Sequence, residues 1–225
     1  TESTLTPFDE RIHQTRRHKG QLFVASRMRS ILSDSSILNN HNNCNRVQDP
    51  YSFRCIPQVH GPVQESFKSL VETVEIELNS STDNPLIFPN PERPGSHEVV
   101  SQGNFHGEVL GLVSDAMSLG LFELSSISER RIDQMLDPDR RAIRPFLAEN
   151  AGLESGLMIV QYAAAASLGE LHGHSSPRSA FSTTTSAGQE DHVSMAATAS
   201  WNLCEAIQRC SEVLACEAFV AHRAL

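Results

Sequence analysis

An amide, two carboxylates and an imidazole follow one another in the segment Gly188-Gln189-Glu190-Asp191-His192. Carboxylates form charge-assisted hydrogen bonds with N–H donors, so this segment is a candidate site for a polar ligand. A second interpretation is structural. Apolar residues recur at helical spacing from Val193 onward, and acidic residues stabilise the first turn of a helix through its dipole. The segment alone leaves both interpretations open.

A planar cation and a phenol lie close together at Arg54 and Tyr51, between Pro50 and Pro57. Because the prolines disfavour an uninterrupted helix, we expect residues 46–58 to form a loop. A guanidinium fork matches the geometry of a carboxylate, and a nearby phenol can supply a second polar contact. The spacing fits equally well a structural arginine that pairs with a backbone carbonyl or an acidic neighbour.

A third polar segment, Gln102–Glu108, precedes a long helical pattern and contains two glycines that allow the backbone to approach another group closely. Within it, we expect Asn104 to cap the following helix. We expect His106 to be a hydrogen-bonded structural histidine.

Five stretches have the periodicity of helices that bury one face, and these helices must position the polar segments. They span residues 14–32, 63–78, 109–132, 153–171 and 193–214. The stretch 153–171 is almost free of charge, so we expect it to be the most buried helix. Residues 33–45, 79–85 and 89–97 are rich in Ser, Asn or Pro and are predicted to be surface loops. The sequence therefore predicts an all-α bundle of long helices that assembles into oligomers.

Charge and hydropathy exclude two classes of partner. The formal net charge is −9 without a basic cluster, so we expect no nucleic-acid partner. No apolar run approaches the roughly 20 residues of a membrane-spanning helix, so we expect no membrane partner. The chain opens at Thr1 without a signal peptide or basic presequence, and we expect both ends to be cut from a longer protein.

The cysteines give no pattern for a disulfide framework or a zinc site. Five of them, at positions 44, 55, 204, 210 and 216, are odd in number and lack close pairs, which predicts reduced thiols and a cytoplasmic protein. Ligand atoms also occur at His172, His174 and Asp191, but their spacing matches no common metal site, so we predict no metal.

Six segments in this order resemble the C-terminal half of the catalytic region of the histidine ammonia-lyases. They are RVQDPYSFRCIPQVHG, LNSSTDNPLIF, SQGNFHGE, SSISERRI, FLAENAGLESGLMIVQYAAAA and TSAGQEDHVSM. The resemblance extends over nearly the whole chain. It implies a bundle of long, mostly antiparallel helices, in which residues 1–225 form a single helical domain, the C-terminal part of such an enzyme.

The resemblance also implies a reaction and an assembly. Enzymes of this family remove ammonia from L-histidine without oxidation and release trans-urocanate, which is the first step of histidine degradation. They are homotetramers whose active sites each take residues from three subunits. Their electrophile is 4-methylideneimidazol-5-one (MIO), formed from an Ala-Ser-Gly tripeptide, and it is needed because the amine is otherwise a poor leaving group. This chain contains no Ala-Ser-Gly, so we expect the N-terminal part to supply the electrophile and this segment alone to be inactive.

By resemblance, one group of residues surrounds the reacting end of the substrate. Tyr51 resembles the family tyrosine near the electrophile and the substrate amine, and Arg54 resembles the clamp on the substrate carboxylate. Gln48 is expected to add a polar contact. Phe105 resembles the aromatic residue that lines the pocket, with Asn104 and His106 as its polar neighbours.

The other end of the substrate is expected to meet Glu190, which resembles the carboxylate that binds the substrate imidazole, with Gln189 in support. A carboxylate facing a ring N–H favours histidine, because an aromatic substrate without that group leaves the hydrogen bond unmade. Two positions depart from the family pattern: Gly188 stands where Asn is expected, and Gln102 where a small residue is common. Two alternatives remain: a non-catalytic helical scaffold, and a related lyase or aminomutase acting on tyrosine or phenylalanine.

Overall fold

The computed structural model describes residues 4–41, 47–139 and 143–225 of the chain. Within these ranges the only sheet is an antiparallel pair, β1 (Leu86–Pro89) and β2 (His97–Val100). The helices are α1 (Glu10–Gln14), α2 (Lys19–Leu32), α3 (Ser36–His41), α4 (Tyr51–Arg54), α5 (Ile56–Leu78), α6 (Glu108–Leu136), α7 (Met158–His174) and α8 (Ala196–Arg223). The predicted helical fold class is confirmed.

Helix α6 lies at the centre of the fold and contacts α5, α7 and α8. Its longest interface is with α8, which runs parallel to it. Near their N-terminal ends, Ser114 lies beside Ser200, with their hydroxyl oxygens 3.3 Å apart. Near their C-terminal ends, Arg131 forms an ion pair with Glu217. The two helices therefore stay in register over about five turns.

The other neighbours of α6 run antiparallel to it. Gln161, in the first turn of α7, donates to Asp133, in the last turn of α6, over 3.2 Å. Ser52, just before α5, contacts Arg131 near the C-terminal end of α6, whereas Val63, further along α5, lies near Gly120 in the middle of α6. Consecutive long helices from α5 to α8 therefore alternate in direction, which agrees with the predicted, mostly antiparallel bundle.

Three clusters of buried apolar residues hold these helices together. The first joins α6 to α5, α7 and α8 through Val63, Met117, Leu121, Leu171, Leu203, Ala206 and Cys210. The second lies near the C-terminal end of α6 and contains Ile132, Met135, Leu136, Ala164 and Val220. The third packs the N-terminal segment with Phe8, Leu32, Leu38 and Ile56. Because the clusters cover both halves of α6, the loops at its two ends are held apart by a rigid helix.

Helices α2 and α5 cross at a point where only glycine fits. A Cβ atom on Gly20 would lie 2.1 Å from the carbonyl oxygen of Gly61, and one on Gly61 would lie 2.5 Å from the backbone nitrogen of Gln21. Both neighbours are backbone atoms, so neither can rotate away. This close crossing is stabilised by Glu65, whose Oε1 accepts from the backbone N–H of Gly20 over 2.7 Å.

Several predicted boundaries were wrong. Residues 46–58 were predicted to be a loop, but the chain is helical at Tyr51–Arg54 and again from Ile56, because Pro57 occupies the first turn of α5, where its missing N–H costs no helical hydrogen bond. The first helical pattern begins at Lys19 instead of residue 14. The loop predicted at 33–45 contains α3, and residues 42–46 lie outside the described residues.

The prediction that residues 153–171 form the most buried helix was also wrong. Within this chain α7 buries only Ala164 and Leu171, whereas α6 has buried residues along most of its length. An apolar composition indicates that a helix has faces to bury, but it does not indicate whether the same chain or another molecule covers them. The exposed apolar residues of α7 include Ile159 and Tyr162.

Within the described residues, α6 is the one helix that is long and apolar enough to cross a membrane. Its contacts with α5, α7 and α8 explain that composition, because a central core helix has the same character. The described cysteines, at positions 55, 204, 210 and 216, are all free thiols.

Candidate active site

The short helix α4 brings Tyr51 and Arg54 together one helical turn apart. The guanidinium carbon of Arg54 lies 4.5 Å from the centre of the Tyr51 ring, a cation–π contact that orients both side chains. The exposed fraction of Tyr51 is 69%, so the other face of its ring is open.

Beside α4 is a pocket of about 430 Å³ whose lining includes Gln48, Arg54 and Gln58. The Nε of Arg54 and the Oε1 of Gln58 are buried, and neither has a hydrogen-bond partner among the described residues. Buried polar groups without partners are costly, so these atoms are poised to bind a polar ligand or water. The structure thus brings Gln48, Tyr51 and Arg54 together, as the sequence predicted.

Gln58 and His60 were missed by the sequence analysis. Gln58 follows Arg54 by four residues, which places it on the same side of the helical segment, and this spacing was the available signal. His60 is half-buried near Arg131 and Glu217, and its Nε2 atom is fully buried. Burial, followed by the positive charge of Arg131, lowers the pKa of His60 to about 4, although Glu217 acts in the opposite direction. The imidazole is therefore neutral near pH 7.

At the other end of α6, hydrogen bonds fix the loop that carries Phe105. The side chain of Gln102 accepts from the backbone N–H of Asn104 and donates to the carbonyl of Asp83. The backbone N–H of Gln102 donates to Asn84 Oδ1 over 2.9 Å. The departure at Gln102 therefore ties this loop to the one that follows α5. Phe105 itself remains more than half exposed, at 57%.

Asn104 does not cap α6, contrary to the prediction. The residue before α6 is Gly107, and no side chain makes a capping hydrogen bond there. Asn104 instead donates from Nδ2 to the carbonyl of Ser81 over 3.4 Å. Its side chain thus helps to hold the same two loops together.

Glu190 lies in an exposed loop before α8. Its carboxylate accepts a hydrogen bond from the Thr185 hydroxyl, and the two residues also exchange backbone hydrogen bonds of 2.9 and 3.3 Å. The bond from Thr185, followed by one from Ser186, lowers the pKa of Glu190 below its usual value. Gln189 is exposed beside it.

Helix α8 begins only at Ala196, so the alternative in which positions 189–191 form its acidic first turn is wrong. The loop bends sharply instead. Gly188 has φ +93°, in the region that favours glycine, and Asn tolerates left-handed angles better than most other residues. The departure at Gly188 therefore suits the turn.

A chain of three side chains joins the loops of Phe105 and Glu190. His106 Nε2 lies 3.2 Å from His192 Nδ1, and His106 Nδ1 lies 4.0 Å from Glu108 Oε2. One ligand atom from each of His106, Glu108 and His192 also lies within 4.8 Å of the others, a grouping that could hold a metal ion. We interpret the group as a carboxylate–imidazole–imidazole chain. Sequence analysis did not predict this pairing, because its histidines lie 86 positions apart.

The predicted residues form two groups rather than one. Arg131, near the C-terminal end of α6, contacts Ser52 in α4, whereas Glu108, at the start of α6, belongs to the chain that reaches the Glu190 loop. A helical rise of about 1.5 Å per residue separates positions 108 and 131 by roughly 35 Å. Arg54 and Glu190 of one chain therefore cannot contact the same small molecule.

Comparison with known proteins gives consistent results. The sequence profile of the family described as aromatic amino acid lyase matches residues 1–225. The histidine ammonia-lyase of Myxococcus xanthus is 46% identical over 219 residues, which are 97% of this chain and 42% of that protein. The chain thus spans about two fifths of the length of the curated relatives that it matches.

Solved structures share the fold. The histidine ammonia-lyase of Trypanosoma cruzi matches with a TM-score of 0.87 and 38% identity, over 99% of this chain and 40% of that one. The phenylalanine aminomutase of Pantoea agglomerans matches with a TM-score of 0.85 and 32% identity, over 98% of this chain and 46% of that one. The same fold therefore serves proteins named for different substrates, and specificity has to be argued from individual side chains.

Proposed function

The chain belongs to the aromatic amino acid lyase family, and we propose that it is the C-terminal part of the catalytic region of a histidine ammonia-lyase. The reaction is the non-oxidative removal of ammonia from L-histidine to give trans-urocanate. In this proposal residues 1–225 act as one helical domain. They supply the clamp for the substrate carboxylate and the contact for its imidazole.

The observation that carries the choice of histidine is the state of Glu190. Its carboxylate is exposed at a loop surface, where a glutamate is ionised near pH 7, and hydrogen bonds from Thr185 and Ser186 lower its pKa further. An ionised carboxylate forms a charge-assisted hydrogen bond with a ring N–H of imidazole. A phenyl ring has no donor to offer, and a phenol offers only an O–H at a different position, so neither would make the ring N–H hydrogen bond to this carboxylate.

The amino-acid end of the substrate is assigned to the α4 pocket. Arg54 presents a buried Nε without a protein partner, which suits a carboxylate that accepts from a guanidinium fork. Gln48 and Gln58 line the same pocket and provide amide groups. Tyr51 keeps Arg54 oriented by ring contact, and its exposed phenol is assigned to the substrate amine.

The family electrophile, MIO, would activate the amine as a leaving group, and we propose that the N-terminal part of the enzyme carries it. Two residues of this chain could line the space around an MIO group supplied by another segment. Tyr51 and Phe105 both hold aromatic surface open to solvent within this chain. Their role is to bind and orient the reactants around that group.

The separation of Arg54 from Glu190 supports a site shared between subunits. Each chain would give its carboxylate clamp to one active site and its imidazole contact to another, as expected for a homotetramer. The exposed apolar residues of α7, such as Ile159 and Tyr162, provide surface for such contacts. We further propose a cytoplasmic location, in keeping with the four free thiols of the described residues.

An activity assay on the complete protein tests this proposal. The coding sequence that contains this segment and its N-terminal half is expressed, and urocanate is followed by its ultraviolet absorbance together with released ammonia. We expect equal amounts of both products, and none from residues 1–225 alone. A protein that assembles but converts no aromatic amino acid would contradict the enzymatic proposal and favour the helical scaffold.

The second candidate is a lyase or aminomutase acting on phenylalanine or tyrosine. The similarity to the Pantoea aminomutase at 32% identity favours it, because the fold accommodates that chemistry. Side-by-side assays with histidine, phenylalanine and tyrosine separate the two. Preference for either of the last two would overturn the assignment of Glu190.

A further inference from the structure

We infer that Arg131 is a positioning residue for the carboxylate clamp, holding α4 in the orientation that aims Arg54 and Tyr51 at the substrate. Arg131 lies in the segment SSISERRI, next to the end of the predicted helical stretch 109–132, but α6 continues past it to Leu136. Its side chain is 6% exposed and points into the fold. This inference rests on the proposed function, since it concerns the recognition of a substrate carboxylate.

Three contacts place the Arg131 guanidinium between α4, α6 and α8. Its Nε donates to Glu217 Oε1, and its Nη2 donates to Glu217 Oε2 over 2.8 Å, which makes a two-point pair with α8. Its Nη1 donates to the backbone carbonyl of Ser52 over 3.4 Å. Ser52 lies between Tyr51 and Arg54, so this last contact is made to the backbone that carries the clamp.

The carbonyl of Ser52 lies where the helical hydrogen-bond pattern is interrupted. Helix α4 is only four residues long and ends at Cys55, whose angles are not those of a regular helix. The last carbonyls of a helix lack the partners that a continuing helix provides. A buried donor at Ser52 therefore stabilises the turn and fixes the direction of α4 against α6.

Glu217 is itself held in position. The hydroxyl of Ser128, one turn before Arg131 on α6, donates to Glu217 Oε2. With one carboxylate oxygen shared by Ser128 and Nη2, and the other taken by Nε, the guanidinium has a defined orientation. Lysine lacks the planar fork, so it can keep the charge at this position but cannot hold Glu217 and Ser52 together.

A conservative replacement in the complete enzyme tests the inference. Arg131→Lys is compared with the unaltered enzyme for assembly, thermal unfolding and kinetics. A displaced clamp is expected to lower kcat/KM by about 10- to 100-fold, as small misplacements of binding groups do. Ser128→Ala, which keeps both charges, is expected to give a smaller loss of the same kind and remains informative if Arg131→Lys does not fold.

The decisive readout is selective for the carboxylate. Urocanate carries the carboxylate, and histamine carries the same imidazole without it, so both are measured as competitive inhibitors. We expect Arg131→Lys to raise the inhibition constant of urocanate by about tenfold and to leave the inhibition constant of histamine unchanged. Equal weakening of both ligands, or unchanged binding of both in a folded variant, would overturn the positioning role.

Arg209→Lys is the matched control. Arg209 also contacts carboxylates on α7 and α8, Glu170 and Glu212, but it makes no contact with α4. We expect its variant to bind both inhibitors normally. If the unaltered enzyme converts another aromatic amino acid instead of histidine, the histidine assignment fails. The role of Arg131 is then tested with two inhibitors derived from that substrate: the deaminated acid, which keeps the carboxylate, and the decarboxylated amine, which lacks it.

Discussion

Arg54 and Glu190 lie near opposite ends of α6, roughly 35 Å apart by the length of the helix between their anchoring contacts. A single amino acid spans far less than this distance. If both residues bind the same substrate molecule, they must come from different copies of the chain. The assembly is then part of the catalytic machinery, because each subunit alone holds two half-sites.

Replacing Arg54 by Ala should remove the substrate clamp. The substrate carboxylate would then lack its partner. We therefore expect kcat/KM to fall, and the fall should correspond to a loss of about 2–5 kcal/mol of transition-state stabilisation. Steady-state kinetics of the complete enzyme measure this. Arg93→Ala is the control, since Arg93 is exposed in the turn between β1 and β2. Near-normal kcat/KM in Arg54→Ala would remove Arg54 from the site.

Replacing Glu190 by Gln should change specificity rather than assembly. Loss of one charge-assisted hydrogen bond is expected to lower kcat/KM for histidine by about 10- to 100-fold, with a smaller effect on phenylalanine. The ratio of the two kcat/KM values is the measurement. Asp191→Asn, at the neighbouring exposed carboxylate, controls for charge alone. A uniform loss on both substrates would argue against an imidazole contact.

The half-buried His60 should make stability depend on pH. Its folded pKa is about 4, below its usual 6.5, so between these values the unfolded chain binds a proton that the folded chain does not. Stability is therefore fully present above pH 6.5 and is lost as the pH falls toward 4, by about 3 kcal/mol at most. Denaturant unfolding of His60→Gln should show a weaker pH dependence in this window than the unaltered protein. His18→Gln, at an exposed site, should show the full dependence.

The crossing of α2 and α5 should not tolerate a methyl group. Gly61→Ala places a Cβ 2.5 Å from a backbone nitrogen, so the helices must separate, at a cost of about 1–3 kcal/mol. Gly120→Ala is the matched control, because its Cβ would meet Val63 at 3.5 Å, an ordinary contact. Denaturant unfolding of both variants checks this. Equal stability of the two would mean that the crossing is not tightly packed.

Features that depend on residues close together in the sequence were predicted well. Gln48, Tyr51 and Arg54 lie within seven residues, and the structure brings them together even though their local structure is helical rather than a loop. The helices were found from apolar periodicity, which reports directly on a buried face. Their ends were less accurate, as at Pro57, because a proline in a first turn permits a helix that it would break further on.

Features that depend on distant partners could not be predicted. Arg131 lies next to the end of a predicted helical stretch, and nothing near it in sequence indicates its partner, because Glu217 lies 86 positions later. The pairing of His106 with His192 has the same origin. The burial of α7 was misjudged for a related reason, since its apolar faces remain open in one chain.

Subunit mixing tests most directly whether Arg54 and Glu190 serve one substrate from different chains. Arg54→Ala and Glu190→Gln subunits of the complete enzyme are co-expressed, with each variant alone as reference. If each site takes Arg54 from one subunit and Glu190 from another, random assembly leaves about a quarter of the sites intact, and urocanate formation should recover to that fraction. If the mixed oligomers form but show no more activity than the two parent variants, the shared site is contradicted.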